Sequence, residues 1–155
     1  MPVFKYAQEL TKIPNCPNKN CNAKDLEAYR WIHKEVSEKD FVPLSIIDSP
    51  PQRILDKSDI LYISYGLSFF ITKDLAQKKY IDEYNKRARQ HLKEQFKSDK
   101  GESIALISLT ISDGVASEPV SNGHFTFWEY SGVNFLDKIK GIFDIFDIDD
   151  SIENI

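Results

Sequence analysis

Four polar side chains stand in apolar, strand-like surroundings from which they could meet. These are Arg30 in Tyr29-Arg-Trp-Ile, Ser68 in Gly66-Leu-Ser-Phe-Phe, and His124 and Glu129 at the two ends of His124-Phe-Thr-Phe-Trp-Glu. A guanidinium is a planar fork of donors suited to phosphate or carboxylate. An imidazole titrates near neutrality, so His124 could serve as acid, base or anion contact. Tyr65 and Trp128 would supply aromatic walls to such a cleft. Each residue also has a plainer reading. Arg30 could be an edge residue with a stacked guanidinium, and Ser68 a small polar group bonded to backbone. The alternation of the late strand puts His124, Thr126, Trp128 and Tyr130 on one face, with Phe125, Phe127 and Glu129 on the other. A His124/Glu129 acid–base pair would therefore need a bulge or a strand end.

No standard catalytic signature accompanies these residues. The chain has no Gly-rich phosphate loop, no His-Glu-x-x-His and no Gly-x-Ser-x-Gly. Cys16 and Cys21 are the two cysteines. A structural zinc site takes four ligands, and neither a second Cys pair nor a close His pair is present to complete one. The expectation is no metal and two unremarkable thiols, with a small loop disulfide as the alternative.

The elements that must position the candidates are legible in part. Tyr29-Arg-Trp-Ile alternates like a strand at about 28–33. Ile60-Leu-Tyr-Ile-Ser and Leu67-Ser-Phe-Phe-Ile are apolar and aromatic, which predicts strands over 60–64 and 67–71. Gly66 between them allows a positive φ or a close backbone approach. Ile104 to Ile111 is apolar on both faces, as a central strand would be, and 124–130 is a further strand. Thr72 reads as a helix N-cap with Asp74 in the first turn. Ile81, Tyr84, Ala88, Leu92 and Phe96 then predict one long basic helix over 73–97. Ser37-Glu-Lys-Asp40 fits a capping box, and Pro43 stops the helix it would open. Residues 45–59 read as an exposed loop with at most one short turn of helix, and 115–123 as a loop. Phe135, Leu136, Ile139, Ile142, Phe143 and Phe146 mark a C-terminal amphipathic helix. The expected fold is α+β, one domain over 1–143 with a mixed or antiparallel sheet, followed by an acidic-apolar tail over 144–155.

Size and charge narrow the functional classes. A chain of 155 residues can bury a real core. Its net charge of −4 argues against general nucleic-acid affinity, which needs a basic footprint. No run approaches the ~20 apolar residues of a membrane span, and a cytoplasmic location is expected. The basic residues gather over 73–100, whereas the stretch after Lys140 is acidic.

Tyr29-Arg30, Asp40-Phe41, Gly66-Leu67-Ser68-Phe69 and Gly123-His124 through Trp128, with Cys16-Pro17 before them, resemble a group of small bacterial proteins of uncharacterised activity. The order of elements is also similar to ADP-ribosyltransferase-like domains. That resemblance implies NAD as cofactor, with Arg30 on the dinucleotide phosphates, Ser68 supporting the nicotinamide end and Glu129 polarising the ribose. The chain departs from the pattern in having Gly-Leu-Ser-Phe rather than Ser-Thr-Ser. It also has Phe127-Trp-Glu129 where a Glu-x-Glu or Gln-x-Glu would stand.

The leading expectation is a small binding or accessory protein without a cofactor, acting through a protein partner held by Phe143, Phe146 and Ile148. An ADP-ribosyltransferase-like enzyme or nucleotide-binding domain is the alternative.

Overall fold

The computed structural model describes residues 3–13, 21–48, 50–55 and 57–146. They form an α+β domain on one six-stranded antiparallel sheet. In chain order the strands are β1 (Leu26–Ile32), β2 (Leu67–Phe70), β3 (Ser103–Leu109), β4 (Gly114–Ala116), β5 (His124–Glu129) and β6 (Ile139–Asp144). Across the sheet they run β4-β5-β2-β1-β3-β6. The helices are α1 (Ala7–Leu10), α2 (Leu44–Ile47), α3 (Gln52–Leu55), α4 (Ser58–Ser64), α5 (Lys73–Asn85) and α6 (Gln90–Lys100). Two 3-10 turns, Glu38–Phe41 and Phe135–Lys138, complete the architecture.

The alternation of the strands divides the core in two. Ala28 and Ile32, Leu67 and Phe69, Ala105, Ile107 and Leu109, and Phe125 and Phe127 share one face. Phe41 and Phe135, brought in by the two 3-10 turns, pack on that face. On the other face Phe70 and Ile104 lie under Ala76, Tyr80 and Phe96 of α5 and α6. Trp31 anchors this second layer. Its ring stacks on Phe70 and meets Tyr80 edge-on at 5.2 Å, while its indole N–H donates to the Ala76 carbonyl at 2.9 Å. Burial of such aromatic side chains is worth about 1.5–3 kcal/mol each before entropy is counted.

Several sequence expectations are met. β1, β2, β3 and β5 lie where the alternation places them. The Thr72 hydroxyl caps α5 by accepting from the Leu75 N–H at 3.1 Å. Ser37 and Asp40 form the reciprocal capping box, on a 3-10 turn that ends ahead of Pro43. Gly66 is needed for a close approach. A Cβ there would lie 2.4 Å from Thr126 Cγ2 and 3.1 Å from the Phe127 carbonyl oxygen.

Other expectations are overturned. Residues 60–64 belong to helix α4, not a strand. A short apolar run fits either period, and here the Tyr62 ring lies stacked on Trp128 at 5.3 Å while the Tyr62 carbonyl accepts the indole N–H at 2.9 Å. The long basic helix is two helices. A continuous rod over 73–97 would run about 37 Å; instead the chain turns back between Asn85 and Gln90, so that Phe96 meets Tyr80 at 4.8 Å. Lys93 bridges the break by donating to the Tyr84 carbonyl at 3.3 Å. The C-terminal amphipathic helix is instead the second 3-10 turn followed by edge strand β6. β3 is apolar on both faces and carries β1 along one edge; β6 pairs along the other, with a bulge between Leu106 and Ile107. Residues 114–116, mostly placed in a loop, form β4 because they pair with β5. The 45–59 stretch holds parts of α2, α3 and α4 rather than one short turn.

Candidate functional site

Arg30 sits where β1 and β2 part. Their register comprises one pair, Tyr29 opposite Phe70, and the Arg30 side chain bridges the gap beyond it. Its Nε donates to the Asp40 carbonyl at 2.9 Å and its Nη1 to the Ser68 carbonyl at 2.8 Å. The guanidinium lies 5.8 Å from the ring centres of both Phe41 and Phe69. Burial brings its pKa down to about 10, with the Asp40 and Glu129 carboxylates opposing that shift. Arg30 thus replaces ladder hydrogen bonds that the splayed strands do not make.

Ser68 faces both ways. Its carbonyl serves Arg30, whereas its hydroxyl lies on the opposite face, 3.0 Å from His124 Nε2. Pairing of Phe70 with His124 and of Ser68 with Thr126 sets this contact. The His124 ring meets Phe70 edge-on at 5.4 Å. Burial, helped by the nearby Lys79 and Arg30 cations, lowers its pKa, so the imidazole is neutral at pH 7. A neutral imidazole against a serine hydroxyl is the first half of a nucleophile–base arrangement. Among the described residues no carboxylate is hydrogen-bonded to its Nδ1.

His124 also lines a groove of about 570 Å³ with Thr126, Trp128, Tyr62, Ile63 and Val120. Cys21 reaches the same groove, and Cys16 lies outside the described residues. Trp128 is 1% exposed, so its ring is a wall of the groove rather than a free stacking platform. Tyr65 closes the C-terminal end of α4, and burial with the Glu9 carboxylate raises its pKa.

Glu129 is on the other face of the sheet, in the Phe125/Phe127 row, as the alternation requires. It is 4% exposed, and neither carboxyl oxygen has a hydrogen-bond partner among the described residues. Lys5 Nζ stands 3.7 Å from Oε2, beyond hydrogen-bond range. Burial pushes the Glu129 pKa up to about 7, against the pull of Lys5 and Arg30. Glu129 is among the residues around a second cavity of about 330 Å³, walled by Phe41, Val42, Val133, Phe135 and Leu136, with Lys5, Glu38 and Asn134 also lining it. The nearby Tyr6 hydroxyl is pushed up to about 12 by burial and by the charge of Glu129.

The six cleft candidates therefore fall into four places. Ser68, His124 and Trp128 share one sheet face; Arg30 is held between strands; Tyr65 caps the C-terminal end of α4; Glu129 is on the opposite face. Of the partner-binding candidates, Phe143 is 37% exposed on edge strand β6, with Lys73 Nζ 4.7 Å from its ring centre. Phe146 packs against Tyr80 and Tyr84, and Ile148 lies outside the described residues.

Two features escaped the sequence reading. Lys5 reaches Glu129 because Phe4 bridges to Tyr130 and the Lys5 N–H donates to the Glu129 carbonyl at 3.0 Å. Nothing local announces that pairing. His33 lies 2.6 Å from Asp40 Oδ1 through Nδ1 and 2.8 Å from the Ser98 carbonyl through Nε2. Both partners are acceptors, so only the protonated ring can donate to both, and these bonds raise its pKa. The capping box at Ser37 marked Asp40, but not its histidine.

No helix among the described residues is long and apolar enough to cross a membrane. No family model, curated protein or solved structure matches the chain.

Proposed function

We propose that this protein is a small accessory module that works by binding another protein. The observation carrying this reading is the concentration of exposed apolar side chains on the short helices between β1 and β2. Leu44, Ile47, Leu55, Ile60 and Ile63 are each 41–64% exposed. Scattered exposed aliphatics are ordinary, whereas several on one short run of chain are a feature of interaction surfaces. The helices are tied to one another, since the Ser45 hydroxyl donates to Ser64 Oγ at 2.6 Å. The patch borders the Tyr62/Trp128 groove through Ile63. The tail that alternates acids with Ile and Phe after residue 144 is a second sequence feature pointing the same way.

The ADP-ribosyltransferase-like alternative calls for Arg30, Ser68 and Glu129 on one bound dinucleotide. Their side chains are divided between the two sheet faces, and the Arg30 guanidinium is engaged by main-chain carbonyls. That division favours binding over transfer.

The test compares capture of partners from a lysate of the source cells by the wild-type chain, by a Leu44→Glu/Ile47→Glu variant and by a chain lacking 144–155. A partner retained by the wild type and lost from the helix variant, with unchanged circular dichroism, supports the reading. Equal capture by the helix variant, or no capture above an inert control, overturns it.

A further inference from the structure

We propose that the Glu129 cavity is a binding site for a planar cation, an amidinium or guanidinium head on a small apolar body. The inference uses none of the exposed α2–α4 side chains on which the partner surface rests.

Glu129 is the starting point. A buried carboxyl with no hydrogen-bond partner on either oxygen is uncommon in a folded protein and calls for an explanation. Leaving such a group without donors is costly, and more so once it is charged. The described neighbours relieve that cost only in part. Lys5 pairs with Oε2 through charge at 3.7 Å without hydrogen-bonding it, and its side chain is 44% exposed, so it can swing away. Arg30 contributes charge, but at least two of its donors are committed to the Asp40 and Ser68 carbonyls. Tyr6 is close enough to have its own ionisation opposed by Glu129.

Two orphaned oxygens of one carboxylate define the ligand's head. An amidinium or guanidinium presents two parallel N–H donors at the spacing of those oxygens, whereas an ammonium presents a point charge. The rest of the cavity defines the body. Phe41 and Phe135 are stacked at 5.1 Å, and with Val133 and Leu136 they give it apolar walls. A volume of about 330 Å³ admits a ring-sized ligand. Glu38 and Lys5 are also in the lining, and the Lys5 ammonium is the cation that the ligand would displace.

Charge linkage supplies the signature. A cation binds the carboxylate and not the acid, so binding must strengthen as Glu129 ionises. The charged and titratable groups around it are Lys5, Tyr6, Arg30 and Glu38. Tyr6 and Arg30 titrate above the range used, and the Glu129→Gln comparison assigns the change to Glu129.

The test is a calorimetric or NMR titration of the full chain with benzamidine, and in a second arm with N-acetyl-arginine amide. Binding should be saturable and roughly 30-fold tighter at about pH 8 than at about pH 5.5, as the carboxyl passes from mostly neutral to mostly ionised. Glu129→Gln should weaken binding at least about tenfold at the higher pH and remove the pH dependence. Lys5→Met should tighten it by removing a competing cation. Benzamidine binding alone points to a free small ligand, and arginine-amide binding points to an arginine side chain; either supports the cation site. Binding that persists in a folded Glu129→Gln chain, preferential binding of benzoate, or no saturation by either probe at millimolar concentration overturns it.

Discussion

The Arg30 guanidinium donates to the main-chain carbonyl of Ser68 at 2.8 Å, while the Ser68 hydroxyl, on the far side of the sheet, lies 3.0 Å from His124 Nε2. One residue thus joins the Arg30 bridge to the His124 contact on the opposite face of the sheet. Removing the guanidinium leaves the carbonyls of Ser68 and Asp40 without this donor. Arg30→Met should therefore destabilise the domain by about 1–3 kcal/mol, mostly through the part-buried Asp40 carbonyl, since Ser68 is exposed and water can replace the donor there. Arg30→Lys should recover part of that loss, because one ammonium cannot hold both carbonyls in the same geometry. Urea unfolding monitored by circular dichroism measures both. An Arg30→Met midpoint equal to wild type would show that the bridge contributes nothing.

His33 makes stability depend on pH. The hydrogen bond to Asp40, followed by that to the Ser98 carbonyl, raises its pKa above the ordinary 6.5. The folded state therefore holds the proton more tightly than the unfolded chain. The stabilisation is fully present below 6.5 and is lost as pH rises through the folded-state value. His33→Gln should flatten the stability profile above about pH 6.5. The ring is half exposed, so the effect is modest. A profile with the same slope in the variant would remove His33 from the account.

Glu129 acts in a lower window, in the same direction. Its pKa is raised from 4.5 to about 7, so the unfolded chain loses this proton first as pH rises. Stability falls between pH 4.5 and 7 by roughly 3 kcal/mol, an order-of-magnitude figure at 1.36 kcal/mol per unit. Glu129→Gln should consequently be more stable than wild type at neutral pH and nearly equal to it at about pH 4. Thermal melts at both pH values distinguish this from an ordinary destabilising core substitution.

Gly66 tests the junction of α4 and β2. An added Cβ would meet Thr126 Cγ2 at 2.4 Å, the Phe127 carbonyl oxygen at 3.1 Å and Trp128 Nε1 at 3.1 Å. Gly66→Ala should cost about 1–3 kcal/mol by overpacking. It should also perturb the near-ultraviolet signal of Trp128. Gly132 is the comparison, because a Cβ there meets nothing within 4 Å and its cost comes from a φ of +91° alone. If Gly66→Ala melts with the wild type, the close approach is not a constraint.

The sequence by itself determined what depends on neighbours a few residues away. The alternation of β1 and β5, the two-faced apolarity of β3, the Thr72 cap and the Ser37/Asp40 box follow from strand pleat and from side chain to backbone bonds spanning three residues. It also placed Glu129 opposite His124 in β5, which the sheet repeats. The tertiary structure decided the rest. Ile60–Ser64 coils into a helix with the Tyr62 ring on Trp128, the basic segment breaks so that Phe96 can reach Tyr80, and residues 139–144 extend along the free edge of β3. Short apolar runs satisfy helix and strand periods alike, so partners distant in sequence choose between them. The same holds for the site. Whether Arg30 meets a ligand or a main-chain carbonyl, and whether Glu129 finds a donor, depends on strands and turns that no local pattern brings together.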